Sequence, residues 1–472
     1  MKGCLKLACR FLLLICSAVP VVALEHSDVN CLSDSAVRTN RDRVALMVSH
    51  SLYRELKPDI QQYKVDVEAR FSVQLHVVEG AWDNPAKMRA TIKELYDKEK
   101  ISGVILVGAM PMHRFFMHEH ANPNPLYYED FDLEFVDKNN DGVDDAYNGK
   151  PQLKVWVANI RACEKASEDD IPGLRRFFTK THDYYTGKAV PELRTLLFTT
   201  GDYPVVGDEF RRNGGTRFSA PGDITMLEGK ACTLKAVRKA FKKHSYTLTY
   251  VGVHSDETGH GMEDEDLLSQ EIADMTTGSL ITINHGCFAG NWAKNDDEKS
   301  GLNCAMSWVF GKHMGQAVIA QVRSGGVGFD NLIYARLRAG DYLGKAYLPC
   351  KQAHEIEASP GDHTPGDIVS GILFIGNPFL ELKPVKTKIS LVINNAVYGD
   401  FSNNAVTNVT QLLADWVYDN TLTVDVPHDD FGDPANGIVK QLKVDYTFDD
   451  KEKSKTVNDG ETLKISKGWF SK

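Results

Sequence analysis

Past its N-terminus the 472-residue chain has no apolar run of the roughly 18 residues that a membrane-spanning helix needs, so a soluble mature protein is expected. Basic charge is also short. Lys and Arg total 54 against 64 Asp and Glu, for a formal net charge of -10. That balance leaves no excess for a phosphate backbone, and nucleic acid is not expected as a partner. The one dense basic stretch, "RKAFKKH" from Arg238 to His244, reads as a solvated helix face. Cysteine is sparse: nine residues, three of them (Cys4, Cys9, Cys16) in the first 23. The other six, Cys31, Cys163, Cys232, Cys287, Cys304 and Cys350, are too few for a disulfide scaffold and fall in no CxxC spacing, although one or two bridges are compatible with them. Internal repeats and low-complexity linkers are lacking too.

What is present begins with an export signal. Lys2, Lys6 and Arg10 precede "FLLLICSAVPVVA", and Val21-Val22-Ala23 offers small residues for cleavage, so residues 1–23 are expected to be removed from a secreted, cell-surface or periplasmic protein. From residue 41 to about 190 apolar runs alternate with helical periodicity. "RVALMVSH", "SVQLHVVEG" and "ISGVILVGAMP" read as strands, separated by helices. The second of these helices starts at Asn84 as cap with Pro85 behind it. Strand–helix–strand order implies parallel pairing with right-handed crossovers. A second α/β block spans residues 191–384, with strands at "LRTLLFTTGD", "YTLTYVGV", "GSLITIN", "QAVIAQVRSGG" and "GILFIGNPFLELKP". From residue 385 the pattern turns to period two, "KISLVINNAVYG", "LTVDVP", "KQLKVDYTF" and "ETLKIS", the mark of a small all-β module.

The chemistry centres on "GSLITINHGCFAGNW", Gly278 to Trp292, where an apolar strand breaks into a Gly-containing loop carrying Cys287. A thiol nucleophile needs an imidazole to handle its proton and N–H groups for the developing oxyanion. In open α/β sheets such groups gather on loops at the carboxyl ends of strands. Cys287 holds such a place, and so does His254, at the end of "YTLTYVGVHS".

"YVGVHSDETGHG" followed by "LITINHGCFAGNW" resembles the gingipain family of cysteine peptidases, which is caspase-like in fold, and the separation of 287 − 254 = 33 residues suits that family. The resemblance extends in blocks from about Asp42 to Pro384. It implies an α/β, caspase/gingipain-like parallel-sheet catalytic region of two subdomains, with an Ig-like β-sandwich after it. It further implies a secreted cysteine endopeptidase acting on protein or peptide substrates through a Cys–His dyad. Carried over, Cys287 is the nucleophile and His254 the proton carrier, with His260 of the nearby "GHG" as the alternative. The backbone amides of Ser255 and Cys287 become the oxyanion donors. The chain departs from the family in two places: Ser255 stands where glycine is usual, and Val253 is inserted before the histidine. His285 is expected to be structural or orienting. Acidic residues from Asp256 and Glu257 through the Glu263–Asp266 run suggest a basic residue before the scissile bond.

Rival readings use the same residues. A catalytically silent relative would act through its surface, binding a cell-surface glycan or polymer with the C-terminal module, where Tyr398, Trp416 and Trp469 are either contact aromatics or core. A zinc site would draw on His254, His260, His285 and Cys287. Separately, "DKNNDGVDDAY" places oxygen side chains at Asp137, Asn139, Asp141 and Asp145 around Gly142, resembling repeat-type calcium loops and implying a structural Ca2+. No organic cofactor is expected.

Overall fold

A computed structural model describes residues 41–117, 120–162, 171–292, 302–326, 330–354, 371–385, 390–417, 420–428 and 431–466. The export signal, Cys31, Cys163 and Trp469 lie outside the described residues.

Ten strands form one sheet. In spatial order they are Ile224–Glu228, Thr195–Thr199, Tyr246–Gly252, Ser279–Asn284, Ala317–Gln321, Ile372–Gly376, Trp156–Ile160, Gly103–Val107, Asp42–Ser49 and Val73–Gly80. The first five run parallel to one another, and so do the last five. The two halves meet antiparallel between Ala317–Gln321 and Ile372–Gly376. Both α/β blocks therefore share one sheet, and the last strand of the second block is seated beside the first block.

Burial on both faces explains why these strands read as continuous apolar runs rather than as alternations. In Asp42–Ser49, Val44, Leu46 and Val48 enter one core, while Ala45 and Met47 enter another with Met88 and Ile92 from the helix Pro85–Glu99. That helix begins as its sequence dictates, with the Asn84 side chain accepting from the Lys87 amide at 2.9 Å and Pro85 in the first turn.

Residues 391–465 build a four-stranded antiparallel sheet and a two-stranded one around a separate core that includes Ala396, Leu413, Leu442 and Val444. A short helix, Thr410–Asp415, interrupts the strands. Tyr398 belongs to this core, the second of its two readings: it is fully buried and its hydroxyl donates to Asp459 at 2.8 Å. Trp416 is half-buried, stacked on Phe431 and packed against His428.

Candidate active site

Four neighbouring strands, Thr195–Thr199, Tyr246–Gly252, Ser279–Asn284 and Ala317–Gln321, end on the same edge of the sheet, and each continues into a loop that carries a polar group of the site. The loops hold Asp202 and Tyr203, His254, Cys287, and Ser324 with Gly325, respectively. Parallel register sets the spacing. Val251 pairs with Asn284, so His254 and Cys287 each lie three residues beyond a matched pair on adjacent strands.

The cysteine loop is tightly specified. Asn284 is fully buried, and its Oδ1 accepts from the Gly286 amide at 2.8 Å. The His285 amide donates to Val251 O at 2.8 Å. Directly after Cys287, Phe288 adopts φ of 51°, a left-handed conformation that a bulky residue pays for in strain. This reversal sends the chain back along the next strand, with Phe288 N donating to Arg323 O and Gly290 N to Gln321 O. The Cys287 thiol is left half-exposed, and the Gly325 amide donates to its sulfur at 3.3 Å. Ser324 Oγ lies 3.9 Å away. Gly325 has φ of 113°, which suits glycine and lets the amide turn inward.

His254 is open to solvent. Its Nδ1 bonds the Tyr203 hydroxyl at 2.9 Å and its Nε2 faces Asp202 at 3.5 Å. Among the described residues no hydrogen bond joins it to Cys287. His285 points elsewhere, with Nδ1 on the Tyr250 hydroxyl at 3.2 Å and its ring in the space a Cβ of Gly326 would need.

His260 is fully buried. A small antiparallel sheet (Ser255–Asp256, Gly259–Gly261, Asp266–Leu268) folds it back beneath Ser255. Its ring contacts Ser255 Oγ, Trp308 Nε1 and Cys304 Sγ, and burial drives its pKa down to about 3. A histidine so enclosed does not meet a substrate, and this placement argues against His260 as the catalytic alternative. The zinc grouping does not form either, since no cluster of three or more His, Cys, Asp or Glu side chains suited to a metal exists among the described residues.

Ser255 is paired with His260, and Gly261 N donates to His254 O, which makes Ser255–His260 a non-hydrogen-bonded pair. The Ser255 amide therefore points away from that ladder and remains available as a donor. Its side chain rests on Gly286, where an added Cβ would overlap Ser255 Oγ and come within 2.9 Å of Val253 O.

Three of the acidic residues named for substrate preference are engaged within the fold. Asp256 Oδ1 accepts from Thr258 and Gly259 amides, Glu263 from Gly201 N, and Asp264 from Leu234 N. In the oxygen-rich loop, Asp137 accepts from the amides of Asp141 and Gly142, Asn139 from Asp141, and Asp145 from Lys138.

Sequence reasoning missed Asp202, Tyr203, Ser324 and Gly325. The signal that found His254 and Cys287, a polar residue just past an apolar strand, applies equally to "LLFTTGDY" and "QAVIAQVRSGG".

No protein-family model matches the chain, and no curated protein matches it. Among solved structures it is similar to one described as "Structure of Protease", at 11% identity and a TM-score of 0.53, covering 88% of this chain and 97% of that one. It is likewise similar to the Arg-specific cysteine proteinase gingipain R, at 11% identity and a TM-score of 0.52, covering 91% of this chain and 100% of that one. At this identity the likeness establishes a fold shared with cysteine proteinases.

Proposed function

We propose that the protein is an exported cysteine endopeptidase in which Cys287 attacks the scissile carbonyl and His254 carries the proton. The observation that supports this most is the convergence of Cys287, His254 and the sulfur-directed Gly325 amide at the carboxyl ends of neighbouring strands in a proteinase fold.

The thiolate adds to the carbonyl carbon, and the oxyanion that forms is met by the Ser255 and Cys287 amides. His254 protonates the departing amine as the C–N bond breaks, and water then hydrolyses the acyl-enzyme with His254 accepting its proton. To reach the sulfur, His254 gives up its contact with Asp202. That exposed pair is worth at most about 1 kcal/mol, so release costs little. The Tyr203 hydroxyl stays on Nδ1 and presents Nε2 to the reacting atoms. Calcium binding by the Asp137–Asp145 loop belongs to the same proposal as a structural feature.

The deciding experiment compares the mature protein with Cys287→Ala on a mixed fluorogenic peptide library under reducing conditions. Cleavage that disappears in the variant supports the reading. Cleavage that survives the substitution sinks it by assigning the activity to another residue, and none in either protein sinks it in favour of a catalytically silent relative.

A further inference from the structure

His260 has no place in the proton transfers above, yet it sits under the site in a chain of hydrogen bonds with one possible direction. The Trp308 indole N–H can only donate, and it lies 2.9 Å from His260 Nε2, so that nitrogen is the acceptor. A neutral imidazole then carries its proton on Nδ1, which donates to Ser255 Oγ at 2.7 Å. The Ser255 hydroxyl in turn donates to Val253 O at 3.3 Å. Trp308, His260 and Val253 are all buried to within 1% exposure, while Ser255 is half-buried between them and the site. Cys304 Sγ closes the pocket 3.2 Å from Nε2.

We propose that His260 is a positioning residue: through its Nδ1–H it locks the Ser255 side chain against Gly286 and so fixes the Ser255 amide as an oxyanion donor beside Cys287. The inference rests on the peptidase reading and deepens it. Three features support it. Ser255 is the residue directly after His254, its side chain occupies the space that a Cβ on Gly286 would need, and its amide faces away from the His260 ladder. The arrangement also accounts for the chain's departure from the family pattern. A serine where glycine is usual brings a Cβ and hydroxyl into the turn, and both need a fixed place. His260 supplies it. Burial keeps the imidazole neutral at working pH, which preserves the single proton on Nδ1 that the chain of bonds requires.

Two isosteric substitutions separate positioning from simple packing. Gln at 260 can accept from Trp308 at the ε position but has no δ N–H for Ser255. Asn has the δ N–H but no acceptor for Trp308. His260→Gln is expected to keep its melting temperature while kcat falls on the order of tenfold to a hundredfold, the loss typical of a misplaced oxyanion donor, with KM nearly unchanged. Affinity for a peptide aldehyde should fall in parallel, because thiolate addition there moves the carbonyl electron pair onto the same oxygen. Iodoacetamide alkylation of Cys287 builds no oxyanion and should proceed at the wild-type rate. His260→Asn should melt earlier yet recover most of kcat. Ser255→Ala should match His260→Gln, and the double variant should be no worse than either. His260→Gln with wild-type kcat and aldehyde affinity, or kcat that simply follows melting temperature across the variants, overturns the positioning role and leaves the peptidase reading standing. Absence of Cys287-dependent cleavage in the wild-type protein overturns both.

Discussion

Gly286 carries more of the site than its size suggests. Asn284 holds its amide, Ser255 fills the space beside its Cα, and Cys287 follows it directly. Gly286→Ala would put a methyl group into Ser255 Oγ and within 2.9 Å of the Val253 carbonyl, a backbone atom that cannot rotate away. Overpacking of this kind costs about 1–3 kcal/mol, and here the turn that bears Cys287 would take up the displacement. The expected result is a melting temperature lowered by a few degrees and a much larger fall in kcat/KM, read by thermal denaturation and peptide cleavage. Adding Ser255→Gly should return part of the stability by vacating the space. Stability and activity equal to wild type in the single variant would contradict the close packing. Phe288 is strained for the same purpose, since only a sharp reversal after Cys287 can leave the sulfur facing the Gly325 amide.

At the scale of elements, the same short stretch can mean different things depending on what folds over it. The "GHG" around His260 has the composition of a reactive loop, but three short strands turn it into the floor of the site. The reverse holds for "VRSGG", which reads as the end of a strand and supplies the amide facing Cys287. The Asp137–Asp145 loop is bracketed by an antiparallel hairpin, Glu134–Val136 with Ala146–Asn148, which fixes its ends. The carboxylates of Asp137, Asp141 and Asp145 each accept backbone amides and retain further lone pairs, while Asp144 turns to His113 at 2.7 Å. Millimolar calcium is expected to raise the melting temperature, and chelation to return it, with the response lost in Asp137→Ala. A melting temperature indifferent to calcium in the wild-type protein would leave the loop an ordinary hydrogen-bonded turn.

Among the described residues three imidazoles, His113, His260 and His313, are buried, and burial lowers each below the ordinary histidine value. Burial holds both His260 and His313 down to about 3, from an ordinary 6.5. Below pH 6.5 the unfolded chain takes up protons at these positions that the folded chain refuses. Stability is therefore complete above 6.5 and is lost as pH falls from there toward 3. Each group contributes a slope approaching about 1.4 kcal/mol per pH unit inside that window. Denaturant midpoints at pH 7.5, 6 and 5 should decline steadily, and His313→Gln should flatten the decline. A midpoint constant over that range would mean that these histidines are solvated. Of the other described thiols, Cys232, Cys304 and Cys350 are buried, and burial raises the pKa of each; Cys287 alone among them reaches the surface of a strand edge.

Local rules were enough to locate strands, helices and the point where Cys287 leaves its strand, because apolar runs buried on both faces and capping residues such as Asn84 act over a few neighbours. The 33-residue separation of His254 and Cys287 was also legible, since parallel register converts a sequence offset into adjacency. Only tertiary structure decided which histidine is exposed and which is enclosed, because that depends on Trp308 and Cys304 arriving from a helix more than forty residues away. It alone also placed Tyr203, Asp202 and Gly325 around the pair, and joined the two half-sheets antiparallel at Ile372–Gly376. Periodicity fixes which residues a strand buries. It carries no information about which distant strand becomes the neighbour, and the chemistry of this edge is made by neighbours.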